Sequence, residues 1–171
     1  MKLMIASDIH GSSFWCEKLV KAYKESGAKR LLLLGDILYH GPRNALPDEY
    51  DAKKVIDMLN GIKEEIICVR GNCDSEVDQM VLSFPILSES AVVFSDGVTM
   101  FLTHGHHFNK DALPPIKKGD VLVYGHTHVP LDTVVDGVRC INPGSVSIPK
   151  EGSTHGYILF DGGIFERKTL E

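Results

Sequence analysis

The residues MKLMIASDIH (residues 1–10) join an apolar run directly to Asp8 and His10. A continuous apolar run of this length is typical of a strand that is buried on both faces, as in a parallel sheet. The same arrangement recurs four times along the chain, each time with polar groups directly after an apolar stretch. The five polar groups are Asp8-Ile9-His10, Gly35-Asp36, Gly71-Asn72-Cys73-Asp74, His104-Gly105-His106 and Gly125-His126-Thr127-His128.

The spacing of apolar residues predicts an α/β chain. Strands over residues 1–7, 30–34 and 65–69 alternate with helices that start near Ser12 or Ser13 and over residues 52–60, which gives a βαβαβ unit with a parallel sheet. A short helix is predicted over residues 75–82. Aspartate–glycine pairs at 96–97, 136–137 and 161–162 then mark three hairpins. The downstream strands are residues 91–95, 98–103, 121–124, 131–135, 138–142, 157–160 and 164–168.

Length and composition indicate one globular domain over residues 1–171, with two sheets packed face to face and helices outside. The formal net charge of −5 argues against a broad nucleic-acid surface, which needs clustered Lys and Arg. We see no secretory signal and no apolar run of about 18 residues that could span a membrane. Four scattered cysteines without a CxxC pair predict reduced thiols and a cytoplasmic protein.

The five polar groups have the chemistry of a metal site. Ligands collect at the carboxyl ends of strands in α/β sheets, so these groups are expected to face one crevice. In extended chain, residues i and i+2 project to the same side, which would let Asp8 and His10, and likewise His126 and His128, face one centre. Carboxylate with imidazole suits manganese, iron or zinc better than calcium. Each group alone has an ordinary explanation as a turn, a cap or a polar loop; all five together favour the metal site.

The ordered set DxH, GD, GNxD, HGH and GHTH resembles the calcineurin-like metallophosphoesterases. Three longer runs resemble the small bacterial YfcE-type phosphodiesterases of that superfamily: residues 36–44, residues 69–74 and Asn142-Pro143-Gly144-Ser145. The resemblance implies the metallophosphoesterase fold, a four-layer sandwich of two mixed β-sheets flanked by helices. It also implies hydrolysis of phosphodiester bonds by a metal-activated hydroxide at a dinuclear site, supported by two divalent ions. Manganese is the expected metal, with zinc or iron as alternatives.

Carried over position by position, the resemblance assigns seven metal ligands. The first ion would be held by Asp8, His10 and His128. The second would be held by Asn72, His104 and His126, and Asp36 would bridge the two ions.

The same resemblance places Asn72, Cys73 and Asp74 in the catalytic group. Arg43, in the loop just after Asp36, is a candidate substrate contact because a guanidinium can bind a phosphate with two N–H groups. His106 is either a substrate contact or a partner that orients the metal ligands. Many relatives carry a histidine where this chain has Cys73, and a thiol is a poorer general acid than an imidazole at neutral pH. Cys73 either narrows the substrate range towards diesters or only fills space.

Three functions stay open on the sequence. The leading one is a phosphodiesterase acting on a small phosphodiester or nucleotide-like substrate, without a stable nucleic-acid complex or a membrane. A phosphomonoesterase or nuclease of the same superfamily is the second, and a non-catalytic protein-binding scaffold is the third. Homo-oligomer formation, through an edge strand or the helix around Trp15, is left open.

Overall fold

The computed structural model describes all residues, Met1–Glu171, as ten strands in two sheets with three helices. The strands are β1 Leu3–Ala6, β2 Arg30–Leu33, β3 Ile66–Cys68, β4 Ser90–Ser95, β5 Val98–Thr103, β6 Val121–Val123, β7 Leu131–Val135, β8 Val138–Asn142, β9 Gly156–Asp161 and β10 Ile164–Thr169. The helices are α1 Ser13–Ser26, α2 Ala52–Asn60 and the single turn α3 Glu76–Gln79, with a 3₁₀ turn at Lys63–Glu65.

Both sheets have five strands and both are mixed, as predicted. The first sheet has the order β10-β9-β1-β2-β3, in which β1, β2 and β3 are parallel and β9 runs antiparallel to β1. The second has the order β4-β5-β6-β8-β7, with β5, β6 and β8 parallel and an antiparallel strand at each edge. The C-terminal hairpin of β9 and β10 therefore belongs to the same sheet as the N-terminal strand β1.

Alternation along β1 shows how one strand serves two hydrophobic layers. Leu3 and Ile5 face the second sheet, in a core that includes Leu102 and Phe160. Met4 and Ala6 face the opposite way, into the larger core that also holds the buried face of α1 and α2. All four residues of β1 are buried, which explains the uninterrupted apolar run in the sequence.

The helices all lie on the outer face of the first sheet. Residues of α1 and α2 belong to the same hydrophobic cluster as the outer residues of β1 and β2, and so do Leu82 and Phe84 after α3. The outer face of the second sheet is covered by an irregular segment that contributes Leu113 and Ile116. The helical layer is thus present on one side of the sandwich only.

Local signals set the helix ends. Ser12 caps α1, its hydroxyl accepting from the Trp15 amide at 3.3 Å, and Gly27 ends the helix in a left-handed conformation. Asp51 caps α2 by accepting from the Lys54 amide at 3.1 Å.

One local prediction was wrong. The helix predicted over residues 75–82 is only α3, because Val77, Met80 and Val81 are exposed and give a longer helix no apolar face to bury. Trp15 on α1 is partly buried and packs at the margin of the larger core. Its ring stacks on His155 with centroids 3.5 Å apart, and its indole N–H donates to Asp48 at 3.0 Å.

None of the helices in the structure is long and apolar enough to cross a membrane.

Candidate metal centre

The five polar groups meet at one end of the sandwich, at the carboxyl ends of β1, β2, β3, β5 and β6. Most of the seven predicted ligands are buried; His126 is half-buried and Asn72 is exposed. The centre is therefore closed at its base and open towards solvent on the side of Asn72 and His126.

Three side chains form the first ligand set. The Oδ1 atom of Asp8 lies 3.3 Å from Nε2 of His128 and 3.6 Å from Nε2 of His10. The two imidazole Nε2 atoms are 3.2 Å apart. One ligand atom from each of the three residues thus lies within 4.8 Å of the other two, which is close enough for all three to bind a single ion.

The second set forms around His104. Its Nε2 lies 3.3 Å from Oδ2 of Asp36, 3.2 Å from Nδ1 of His126 and 3.0 Å from Oδ1 of Asn72. The same Oδ2 of Asp36 is 3.6 Å from Nε2 of His10 in the first set. Asp36 therefore lies between the two sets, where a bridging ligand would be.

Backbone carbonyls fix the tautomers of three histidines. Nδ1 of His10 donates to the Tyr39 carbonyl, Nδ1 of His104 to the Leu34 carbonyl and Nδ1 of His128 to the Ile148 carbonyl, each at 2.7 Å. A carbonyl oxygen can only accept, so each Nδ1 must carry the proton and each Nε2 of the neutral ring presents a lone pair to the centre. This is the usual outer-shell arrangement for a metal-binding histidine.

The donor set fits divalent cations. The lone pairs of His10 and His128 face each other at 3.2 Å, and Oδ1 of Asp8 is buried without a hydrogen-bond partner. Unpaired buried acceptors are costly unless a positive charge satisfies them. Although burial alone would lower it, Asp36 and Asp8 raise the pKa of His104 to about 9. Burial of Asp8 is likewise outweighed by His10 and His128, which hold its pKa well below the usual range.

The ligand backbone differs from the extended geometry assumed in the sequence analysis. Asp8 (φ 61°) and His10 (φ 49°) are both left-handed, and so are Asp36, His126 and His128. Side chains at i and i+2 do face one centre, but they do so through alternate left-handed residues beyond the strand end. Each such residue costs about 1–2 kcal/mol, a strain that is concentrated at functional sites.

Glycine is required where two ligand loops touch. A Cβ atom on Gly71 would lie 2.1 Å from Oδ1 of Asp36, and one on Gly35 would lie 2.3 Å from the Gly71 amide nitrogen. No side chain fits in either place, so the loops after β2 and β3 pack backbone to backbone.

Asp74 lies behind Asp36 and holds these two loops together. Its carboxylate accepts from the backbone amides of Asp36 (2.8 Å), Ile37 (2.9 Å) and Gly71 (2.7 Å). Cys73 lies in front, lines the centre, and its amide donates to Oδ1 of Asp36 at 2.8 Å.

The run Asn142-Pro143-Gly144-Ser145 supports the GHTH loop. Nδ2 of Asn142 donates to the Gly125 carbonyl at 2.7 Å and contacts Oγ1 of Thr127 at 3.1 Å. The hydroxyls of Ser145 and Ser147 both donate to the Asp8 carbonyl. The turn therefore holds the loops after β1 and β6 in register.

A cleft of about 500 Å³ opens over the centre, and it is almost entirely polar. Arg43, one of the two predicted substrate contacts, lines it, whereas His106 does not; the His106 ring packs instead against His104 and His126. Lys150 and Thr127 also line the cleft, and the sequence analysis missed both. Only the position of Lys150 in the loop after the 142–145 turn could have pointed to it.

The sequence matches the Calcineurin-like phosphoesterase superfamily domain over residues 1–162. This chain belongs to that superfamily. The two mixed five-stranded sheets match the fold of that superfamily.

Individual relatives agree with this placement. The chain is 50% identical over 164 residues to Phosphodiesterase YfcE of Escherichia coli K12, covering 96% of this chain and 89% of that one. It is 28% identical over 152 residues to Phosphodiesterase MJ0936 of Methanocaldococcus jannaschii, covering 84% and 83%. The solved structure of the phosphoesterase YfcE from E. coli superposes with a TM-score of 0.93 at 45% identity, covering both chains completely.

Proposed function

We propose that this chain is a metal-dependent phosphodiesterase that works through a dinuclear centre. The observation that supports this most directly is that Asp36 joins the two ligand sets: its Oδ2 lies 3.6 Å from Nε2 of His10 in the first set and 3.3 Å from Nε2 of His104 in the second. The relatives named above as phosphodiesterases support the choice of a diester substrate.

Two divalent ions, manganese first and zinc or iron as alternatives, fit this donor set of carboxylate, imidazole and amide oxygen. When bound, such a pair supplies a water acidified towards neutrality and positive charge against the phosphoryl oxygens. The protein's own contribution is to fix the ligands: carbonyls set the tautomers of His10, His104 and His128, and Asp74 holds the backbone of Asp36.

The open side of the centre binds the substrate in this proposal. Asn72 presents an amide at the cleft, with its oxygen towards His104; its nitrogen donates one N–H to Sγ of Cys73 at 3.4 Å, which leaves the second N–H for a phosphoryl oxygen. Arg43 and Lys150 line the same cleft, and neither makes an ion pair within 4.0 Å with a carboxylate of this chain. Two cations that are not neutralised locally suit a small anionic substrate.

Cys73 bears on which phosphate esters the centre hydrolyses. Its thiol lines the cleft beside Asn72, and burial raises its pKa to about 12. A thiol there does not readily protonate a poor leaving group, so hydrolysis is expected to favour esters whose leaving group needs no general acid. The complete ligand set in turn disfavours a purely non-catalytic scaffold.

The deciding experiment compares matched aryl phosphodiester and phosphomonoester substrates on metal-stripped protein after adding manganese, zinc or magnesium. We expect manganese to restore diester hydrolysis with little monoester turnover. His10→Ala should abolish the activity while leaving the protein folded, whereas His155→Ala, on the surface against Trp15, should retain it. Absence of turnover with every metal, or full activity in His10→Ala, would refute the proposal.

A further inference from the structure

A second group of metal-ligating side chains lies outside the seven ligands. Glu89, His106 and His107 each offer one ligand atom, and these three atoms lie within 4.8 Å of one another. Glu89 directly precedes β4, and the two histidines follow β5, the strand paired with β4. The register of this hairpin therefore brings the carboxylate and the two imidazoles together.

The dinuclear centre leaves these three side chains without a role. His106 does not line the substrate cleft, and its Nδ1 atom is buried without a hydrogen-bond partner. The rings of His106 and His107 lie side by side with centroids 4.0 Å apart and an interplanar angle of 44°. An unsatisfied buried ring nitrogen beside a second imidazole calls for a partner that the protein itself does not provide.

We propose that Glu89, His106 and His107 form a third divalent-cation site, separate from the dinuclear centre. Two imidazoles and one carboxylate make a three-ligand face that leaves the remaining positions of the ion to water. The His106 ring lies 5.4 Å from the His104 ring and 6.2 Å from the His126 ring, centroid to centroid. An ion here would add positive charge beside the second ligand set.

Arg70 forms an ion pair with Glu89 but also has other partners. Its guanidinium lies 3.8 Å from Glu89 and 3.7 Å from Glu76, and its Nε donates to the Asp74 carbonyl at 3.3 Å. The Glu89 side chain is 60% exposed, so its pairing with Arg70 is a weak surface ion pair. Arg70 keeps Glu76 and the Asp74 carbonyl as partners when Glu89 turns to an ion.

The ligand chemistry indicates which ions bind. A site with two imidazoles prefers zinc, nickel or cobalt to manganese or magnesium, following the general affinity order for nitrogen ligands. The third site is therefore expected to fill when zinc is supplied and to stay empty in manganese. Zinc-loaded and manganese-loaded protein should differ by one bound ion.

The test is the zinc content of the full-length protein, measured by equilibrium dialysis and elemental analysis at micromolar free zinc. We expect His107→Ala and Glu89→Gln each to hold one zinc fewer than the wild type. Glu76→Gln is the matched control, since it removes the other acidic partner of Arg70 but no proposed ligand, and it should hold as much zinc as the wild type. Manganese-supported diester hydrolysis by His107→Ala should stay within about twofold of wild type, as for a surface substitution.

The outcomes separate this site from the dinuclear centre. Equal zinc content in wild type, His107→Ala and Glu89→Gln overturns the proposal, whatever the activity of the protein. Loss of one zinc in Glu76→Gln as well would indicate unspecific surface binding and overturn it too. Loss of diester hydrolysis together with zinc in His107→Ala would place the missing ion in the dinuclear centre instead.

Discussion

Replacing Asp74 with Asn tests whether the contacts behind Asp36 support both the fold and the activity. The carboxylate accepts three backbone N–H groups: Oδ2 accepts from Asp36 and Gly71, and Oδ1 accepts from Ile37. An asparagine has nearly the same shape, but its amide nitrogen cannot accept. In either orientation of the amide, at least one buried N–H group therefore faces another donor.

The magnitude follows from these three bonds. An orphaned buried donor costs about 1–3 kcal/mol, and each of the two surviving bonds loses about 1 kcal/mol when its acceptor becomes neutral. We expect Asp74→Asn to destabilise the protein by about 3–5 kcal/mol, which for a chain of this length lowers Tm by about 10 °C. Diester turnover should fall at least about tenfold, because small displacements of a reacting group are costly.

The measurement is thermal unfolding of metal-free protein by circular dichroism, together with diester turnover at saturating manganese. Asp78→Asn is the matched control: Oδ2 of Asp78 accepts from the amide and hydroxyl of Ser75, and one amide oxygen can replace it. Its Tm should fall by no more than about 3 °C, the cost of a weakened helix cap. An Asp74→Asn protein as stable and active as Asp78→Asn would refute the positioning role.

Three further outcomes follow from the cleft and the ligands. Cys73→His should raise the turnover of alkyl esters, whose leaving group needs a proton, at least about tenfold relative to aryl esters by supplying a general acid, while Cys73→Ser should leave the ratio unchanged; equal ratios in both variants would assign Cys73 to packing only. Lys150→Gln and Arg43→Gln should each raise the diester KM by about threefold to tenfold, whereas the exposed Lys53→Gln should not; a shift shared by all three would reflect net charge alone. In metal-free protein the pKa of His104 is raised from 6.5 to about 9. The contribution of protonated His104 to the free energy of unfolding is therefore complete below pH 6.5 and is lost as the pH rises through 9. Thermal unfolding between pH 6 and 9.5 should show a loss of up to about 3 kcal/mol that metal-loaded protein lacks, and a flat profile would contradict the assignment.

Strand positions and the ligand set were predictable because both depend on local sequence. The run before Asp8 is apolar on both faces since β1 is covered by a sheet on one side and by helices on the other. Polar residues directly after such a run are at a strand end almost by necessity. Aspartate–glycine pairs form the turns of two hairpins, in which Asp96 and Asp136 adopt the left-handed conformation; the third hairpin turns at Gly162-Gly163, one residue beyond the predicted pair.

Other features depend on contacts that a local pattern does not encode. Nothing in the alternation of residues 156–169 states that β9 pairs with β1 and not with a strand of the second sheet. Helix propensity could not show that Met80 would be 83% exposed, which is why the predicted helix stops after one turn. Lys150 reaches the cleft only because the loop that carries it is bound to the His128 carbonyl through its own amide at 3.2 Å.

The left-handed ligands are held in place by the fold itself. Asp8 and Asp36 are held in strained conformations, yet the bonds that hold them come from the protein: Ser145 and Ser147 bind the Asp8 carbonyl, and Asp74 binds the amide of Asp36. If ions alone imposed this geometry, these hydrogen bonds would have no function. The strain is therefore offset by the fold, and ion binding need not include the cost of ordering the loops. Such a centre can exchange its ions without unfolding, which is what an enzyme requires and what a purely structural metal site does not.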